Sequence, residues 1–295
     1  MATQLARRHT AADTATPDLF EHGYCILPNL VPADLVAALE ADLVPALDRA
    51  LFCRGDFYGE RTKRIGSLLT RSPHAAAFIQ HSRILEFAER ALGPWCDTIQ
   101  LNLTQAIELH PGAPRQLPHR DQDMWQASKG ETEYLLNVMW PFTPYTEANG
   151  ATLIYPRSHR AEALAEEDPG IPVAIDLEPG SALLFLGSTL HGAGANRSGS
   201  IRRGMIVSYC LGWLKPYENQ WLAYPPTVAR HFSPELAALV GYQQHRPNLG
   251  NYEGRCPSLL LRDRLPERMG AVDALRPDQA ELVAAYRRNL DAGAA

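Results

Sequence analysis

Leu117-Pro118-His119-Arg120-Asp121-Gln122-Asp123-Met124-Trp125 decides how the rest of the chain is read. In an extended strand, side chains two apart share a face. His119 and Asp121 are therefore predicted to project together, with Arg120 pointing away between them. An imidazole beside a carboxylate supplies two ligands of a metal site. One further His would complete the facial triad of two His and one carboxylate, which leaves positions open on non-haem Fe(II). His-x-Asp by itself recurs by chance, so its weight rests on what surrounds it.

Outward from this stretch the dominant rhythm is a period of two. Before it, Ile99, Leu101, Leu103, Ile107 and Leu109 alternate with Gln100, Asn102, Thr104 and Glu108, which predicts one long, half-buried strand. After it, Leu135–Trp140, Ala151–Tyr155, Val173–Leu177, Ala182–Leu186 and Arg203–Leu211 read as short strands broken by Gly and Pro. Phe20–Leu30 reads as a strand after a turn, and Arg61–Ser72 as a loop with a short strand. Helices are predicted outside this block, the first from Pro32 to Arg49, which Pro45 should kink or divide. Others span Pro73–Leu92, stopped by Gly93-Pro94, then Pro226–Arg230, Pro234–Val240 and Pro277–Leu290. The last carries Leu282, Ala285 and Tyr286 as a stripe opposite Arg287 and Arg288. Strands in the middle without βαβ alternation argue against a doubly wound sheet. The short strands with punctuated turns fit a jelly roll or related barrel, and the expected class is mainly β with flanking helices around a double-stranded β-helix (jelly-roll, cupin-like) core. Residues 1–16 are expected to form a flexible tail and 17–295 a single domain with helical additions at both ends.

Composition narrows the function. The chain has 295 residues, 45% hydrophobic and 21% charged, with a net charge of −5. The one basic cluster, Arg61 to Arg64, is too small to suggest a nucleic-acid partner. No apolar run reaches the length of a membrane span, and Arg7-Arg8 lacks the apolar segment of a secretory signal. Five scattered cysteines without CxxC spacing argue against a disulfide framework or a thiolate zinc site and fit a cytoplasmic protein.

A third ligand is found in Gly187-Ser188-Thr189-Leu190-His191-Gly192-Ala193-Gly194, where His191 follows a buried strand among small residues that let an ion approach. His110 and His159 are the nearest rivals. In Ile201-Arg202-Arg203-Gly204-Met205-Ile206-Val207-Ser208, alternation puts Arg202, Gly204, Ile206 and Ser208 on one face. That face has the smaller residues and should leave room for a ligand beneath Arg202, where a guanidinium could grip a carboxylate through two parallel hydrogen bonds. Arg203 is expected to reach solvent.

These motifs, taken together and in order, carry a resemblance. FEHGYCILPNL, LPHRDQDMW, LLNVMWPFTPYTEANGATLIYPRSHR and GSALLFLGSTLHGAGANRSGSIRRGMIVSY resemble the phytanoyl-CoA dioxygenase family of Fe(II)/2-oxoglutarate-dependent oxygenases, as does the later ENQWLAYPPTVARHFSPELAALVGY. The resemblance covers residues 18–255. It implies His119, Asp121 and His191 as iron ligands, Arg202 rather than Arg203 as the 2-oxoglutarate anchor, and Thr152 as a second cosubstrate contact. Arg157 departs from the pattern, standing where the family commonly has Gly in a Pro-Gly-Ser-His turn.

The chemistry implied is oxidation by Fe(II), 2-oxoglutarate and O2, with release of succinate and CO2. Halogenases related to the family lack the carboxylate ligand. Asp121 therefore favours hydroxylation, desaturation or oxidative rearrangement. The expected substrate is a small, largely apolar metabolite of secondary metabolism, with Tyr58, Trp125 and Trp213 as candidate contacts and Phe57–Arg64 as a loop over the pocket. Aromatics of this kind equally fill cores. Other readings are a cupin-like metal-dependent isomerase or hydrolase, and a CoA-thioester hydroxylase of the same family, for which the basic cluster is thin support. A homodimer is also an expectation, through the aromatic, Pro-rich tail.

Overall fold

The computed structural model describes residues 18–164 and 170–293; the expected tail at 1–16 and most of the acidic loop at 162–168 lie outside the described residues. Asp18 caps a short helix α1 (Leu19–His22) by accepting from the Phe20 and Glu21 amides, and Gly23 closes it in the left-handed region. Strand β1 (Tyr24–Leu27) follows, then helix α2 (Ala33–Arg49), whose Val36, Leu39, Leu43 and Leu47 are buried. Pro45 does not divide α2, which runs unbroken across it. Strand β2 (Thr62–Gly66) comes next. The helix expected over 73–92 is two helices, α3 (Ala75–Ile79) and α4 (Ser82–Leu92), because His81 is extended between them.

Strand β3 (Ile99–Leu109) has the predicted span, but the expected solvent face is largely buried. Asn102, Thr104 and Glu108 are buried because each has a partner from far along the chain. Asn102 donates to Ser208, Thr104 bonds the Leu68 amide and the Tyr224 hydroxyl, and Glu108 receives Arg203 and His110. A buried polar group with its hydrogen bonds made costs little, so alternation in sequence need not mean a wet face.

The remaining strands are β4 (Leu135–Pro141), β5 (Thr152–Ile154), β6 (Val173–Ala174), β7 (Ala182–Leu186), β8 (His191–Ala193) and β9 (Arg202–Leu211). They form a six-stranded sheet of order β1-β7-β4-β9-β3-β2 and a three-stranded sheet of order β6-β5-β8. β7 runs antiparallel to both neighbours, with Cys25 opposite Leu184 and Asn137 opposite Phe185. β5 pairs with β8 so that Ile154 faces His191 and Thr152 faces Ala193. After β9 come α5 (Gln220–Ala223), which has no periodic signal in the sequence, α6 (Pro226–Ala229), α7 (Pro234–Leu239) and α8 (Pro277–Gly293). Leu282 and Tyr286 of α8 are exposed, so most of its apolar stripe is left uncovered among the described residues.

The chain clusters into two compact units. One holds the residues up to Ile65 together with Ala106–Ile206, and the other holds Gly66–Gln105 together with those from Val207 onward. The first contains His119, Asp121 and His191. In the second, Glu218 accepts from the Ser67 and Thr104 amides, and Asp97 pairs with Arg246.

Candidate metal centre

His119 is held by one isolated bridge to His191, each donating its amide to the other's carbonyl at 2.9 and 3.0 Å. The expected strand through His119 and Asp121 is not regular, for a 3-10 turn begins at Asp121 and runs to Met124. The turn nevertheless brings Asp121 back beside His119. Asp121 Oδ1 lies 3.4 Å from His119 Nε2 and Oδ2 lies 3.5 Å from His191 Nε2. Among the described residues these three form the single group of His, Cys, Asp and Glu side chains placed to hold a metal ion, with ligand atoms within 4.8 Å of one another.

The tautomers suit a metal. His119 Nδ1 lies 2.9 Å from the Leu117 carbonyl and His191 Nδ1 lies 3.0 Å from the Thr189 carbonyl. A carbonyl only accepts, so each Nδ1 carries a proton and each Nε2 is the nitrogen turned toward Asp121, where a metal ion would take the place of any proton. Burial raises the Asp121 carboxyl, but the charges of His191 and His119 and hydrogen bonds from His119 and Asn137 outweigh it, bringing it down to about 2. Burial pushes His191 down, whereas for His119 the pull of Asp121 exceeds burial and raises it. Proton and metal ion thus compete for the same His119 nitrogen.

Asn137 and Phe185, which the sequence did not single out, and Phe57, from the loop expected over the pocket, complete the surroundings. Asn137, from β4, donates Nδ2 to Asp121 Oδ2 at 3.0 Å. Phe185, from β7, sets its ring 4.5 Å from His191, and Phe57 sets its own 4.8 Å from His119. His191 belongs to the small sheet, while Asn137 and Phe185 belong to the large one, so the cluster lies between the two faces.

Arg202 is buried, donates to the Gly150 carbonyl, leaves Nε without a partner, and pairs with no carboxylate among the described residues. Its guanidinium lies 4.4 Å from the Tyr145 ring centre. The room expected beneath Arg202 is thus filled by this ring, and Gly204 makes the space for it. A Cβ there would meet the Tyr145 hydroxyl and stand 2.6 Å from the Trp140 carbonyl oxygen. Arg203 does not run out to solvent. Its Nε donates to Glu108 at 2.7 Å and Nη1 lies 3.6 Å from Glu40, because Glu108 is buried and needs a counter-charge. Arg64, stacked 4.8 Å over the Tyr58 ring, adds a second positive charge acting on both Arg202 and His119.

The other candidates divide. Thr152 is buried beside β8, opposite Ala193. Trp125 lies 6.4 Å from Tyr134, ring centre to ring centre. Trp213 belongs to the other unit, where its Nε1 donates to the Trp95 carbonyl. The rival histidines are engaged elsewhere, His110 with Glu108 and His159 with the Phe20 carbonyl. In the basic cluster, Arg61 donates to the Pro111 carbonyl and Lys63 to that of Leu47. Arg157 takes the left-handed conformation, φ 64°, that Gly adopts freely, so the turn keeps its shape at a cost of about 1 kcal/mol.

A β-helix with His-x-Asp on one segment and a distant His beside it defines the class of non-haem metal oxygenases. The model of the family described as phytanoyl-CoA dioxygenase (PhyH) matches residues 19–204. The chain belongs to this family of Fe(II)/2-oxoglutarate-dependent oxygenases. It is 29% identical over 237 residues to dioxygenase trt7 of Aspergillus terreus, covering 76% of this chain and 82% of that one. It is 30% identical over 241 residues to the multifunctional dioxygenase ausE of Emericella nidulans, covering 76% and 81%. Among solved structures it resembles the α-ketoglutarate-dependent epimerase SnoN of nogalamycin biosynthesis, with TM-score 0.56, 19% identity, and 68% and 83% of the two chains covered. HygX of Streptomyces hygroscopicus, solved with nickel and 2-oxoglutarate, gives TM-score 0.54 at 13% identity, covering 68% and 87%. These likenesses establish the jelly-roll fold. Among the described residues no helix is long and apolar enough to cross a membrane.

Proposed function

We propose that this chain is a dioxygenase that uses Fe(II), 2-oxoglutarate and O2 to oxidise a small, largely apolar metabolite of secondary metabolism in the cytoplasm. One observation carries the reading. Two imidazoles anchored through Nδ1 and an ionised carboxylate converge, Nε2 toward carboxylate, in the same unit as a buried guanidinium that has no carboxylate of its own among the described residues. A buried Arg without a counter-ion is costly unless a ligand supplies the anion. A dicarboxylic 2-oxo acid does so, with one end for the metal and the other for Arg202. His119, Asp121 and His191 would hold the iron, and Arg202, with Thr152 as a further contact and Arg64 as a second cation, would hold the cosubstrate. The bound iron and cosubstrate supply the oxidising power, with succinate and CO2 as co-products.

The residues of this chain supply orientation and exclusion. The Leu117 and Thr189 carbonyls fix the two imidazoles, and Phe57 and Phe185 wall them with rings that carry no competing donors. Apolar substrate recognition is supported by Phe57, Leu117 and Met124, all near the ligands in sequence or space and all exposed. A cytoplasmic setting is supported by five scattered cysteines without CxxC spacing.

The test is anaerobic titration of the purified protein with Fe(II) and then 2-oxoglutarate. A visible metal-to-ligand charge-transfer band is the expected result. Its absence with iron loaded would overturn the reading.

A further inference from the structure

Asn137 interrupts an otherwise apolar run, Leu135-Leu136-Asn137-Val138-Met139-Trp140, in which every residue of β4 is buried. Burying an amide costs about 1–3 kcal/mol when its hydrogen bonds are not made. Asn137 meets that cost only in part. Its Nδ2 donates to Asp121 Oδ2 at 3.0 Å, while Oδ1, fully buried, has no partner. An aliphatic side chain would pack in the same strand without this loss. What the amide provides is therefore its one bond, and that bond ends on a carboxylate of the metal cluster.

An amide suits this task better than a cation would. Where Arg203 and His110 grip Glu108, they occupy both oxygens and neutralise it. Asn137 carries no charge, so it orients Asp121 without reducing the attraction of Asp121 for an ion. An ionised carboxylate only accepts, which fixes the amide with NH2 toward Asp121. Oδ2 thereby has a donor, and Oδ1, 3.4 Å from His119 Nε2, is the oxygen left for an ion.

We propose that Asn137 is a positioning residue that holds the Asp121 carboxylate by Oδ2, so that Asp121 offers the metal one oxygen, Oδ1, rather than both. The inference rests on the Fe(II)/2-oxoglutarate reading. It adds a reason why the carboxylate leaves room beside itself on the metal: a carboxylate free to turn could bind through two oxygens and take up a position that a reactant needs.

The test compares N137L, which keeps the volume without the donor, and N137S, too short to reach Asp121, with V138A. The last removes packing on the opposite face of the same strand. Fold is checked by circular dichroism and melting temperature. Fe(II) affinity is then measured anaerobically without cosubstrate, and the charge-transfer band is recorded with 2-oxoglutarate. The expected result is folded N137L and N137S with Fe(II) bound about 10–100-fold more weakly, as for outer partners of metal ligands, and a displaced band, with V138A matching wild type in both. Wild-type affinity and band in the Asn137 variants would overturn the proposal, as would an equal loss in V138A. If wild type gives no band, the cosubstrate reading fails, and the Fe(II) affinities alone decide on Asn137.

Discussion

Two carboxylates of the same unit, Asp121 and Glu108, each lie against histidine, yet Glu108 also carries a permanent cation and Asp121 a neutral amide. Glu108 is buried, with Oε1 taken by Arg203 at 2.7 Å and Oε2 by His110 at 2.9 Å. Burial raises its carboxyl, and the two partners more than reverse that. Asp121 is also ionised, but its imidazole neighbours send their Nδ1 protons to carbonyls and its remaining partner is a neutral amide. Proximity of acid and histidine is common to both. The lack of a permanent cation on the acid distinguishes a metal site from a structural ion pair.

Glu133 extends the comparison to a third case. Its partners are neutral donors, the Ser188 hydroxyl at 2.5 Å and the Ser188, Leu135 and Gly187 amides. Burial dominates there and pushes its carboxyl up to about 7.

The largest effect should come from the first of the three. H119A or H191A is expected to abolish Fe(II)-dependent succinate formation, more than about 100-fold and so beyond the range for outer partners; wild-type turnover in either variant with added iron would reassign the ligands. For the second, E108A leaves Arg203 without its buried partner. A loss of about 3 kcal/mol is expected in urea unfolding, at the lower end of the range because Arg203 is 24% exposed. Fe(II) affinity should be unchanged, and a loss like that of H191A would mean that the two clusters are not separate.

The neighbouring arginines sharpen the contrast further. R202A should raise the 2-oxoglutarate KM about 10–100-fold through loss of charged hydrogen bonds of about 1.5–3 kcal/mol. R203A should leave KM near wild type, and the reverse pattern would move the anchor by one residue. The smallest effect concerns Glu133. Its folded value lies above the ordinary 4.5, so the native state binds the proton more tightly, and stability falls as pH rises from about 5 to about 8. At about 1.36 kcal/mol per unit, reduced for partial exposure, that loss is about 1–2 kcal/mol. E133Q should remove it and be the more stable protein at pH 8. Parallel pH profiles for the two proteins would contradict this.

Much of the fold was legible because its signals are local. β7 is an apolar run bounded by turn residues, and α2 has Leu39, Leu43 and Leu47 one turn apart. His119, Asp121 and His191 were legible as candidates because small residues and turns frame them. Asn137, Tyr145 and the buried faces of Asn102 and Glu108 were not. Each derives its role from a partner at least 16 residues away or from a ring packed beneath it, and no local pattern records such a pairing. The break between α3 and α4 was missed for another reason: nothing in Gln80-His81-Ser82 forbids a helix.

Gly204 has a consequence for sequence change. Its absent side chain keeps Tyr145 beneath Arg202, and any other amino acid would push its first carbon into the phenol and the Trp140 carbonyl. Position 204 is thus closed to drift, and a library aimed at altering specificity should leave it fixed. Diversity belongs instead at Phe57, Leu117 and Met124, where exposed side chains can vary without disturbing the anchor.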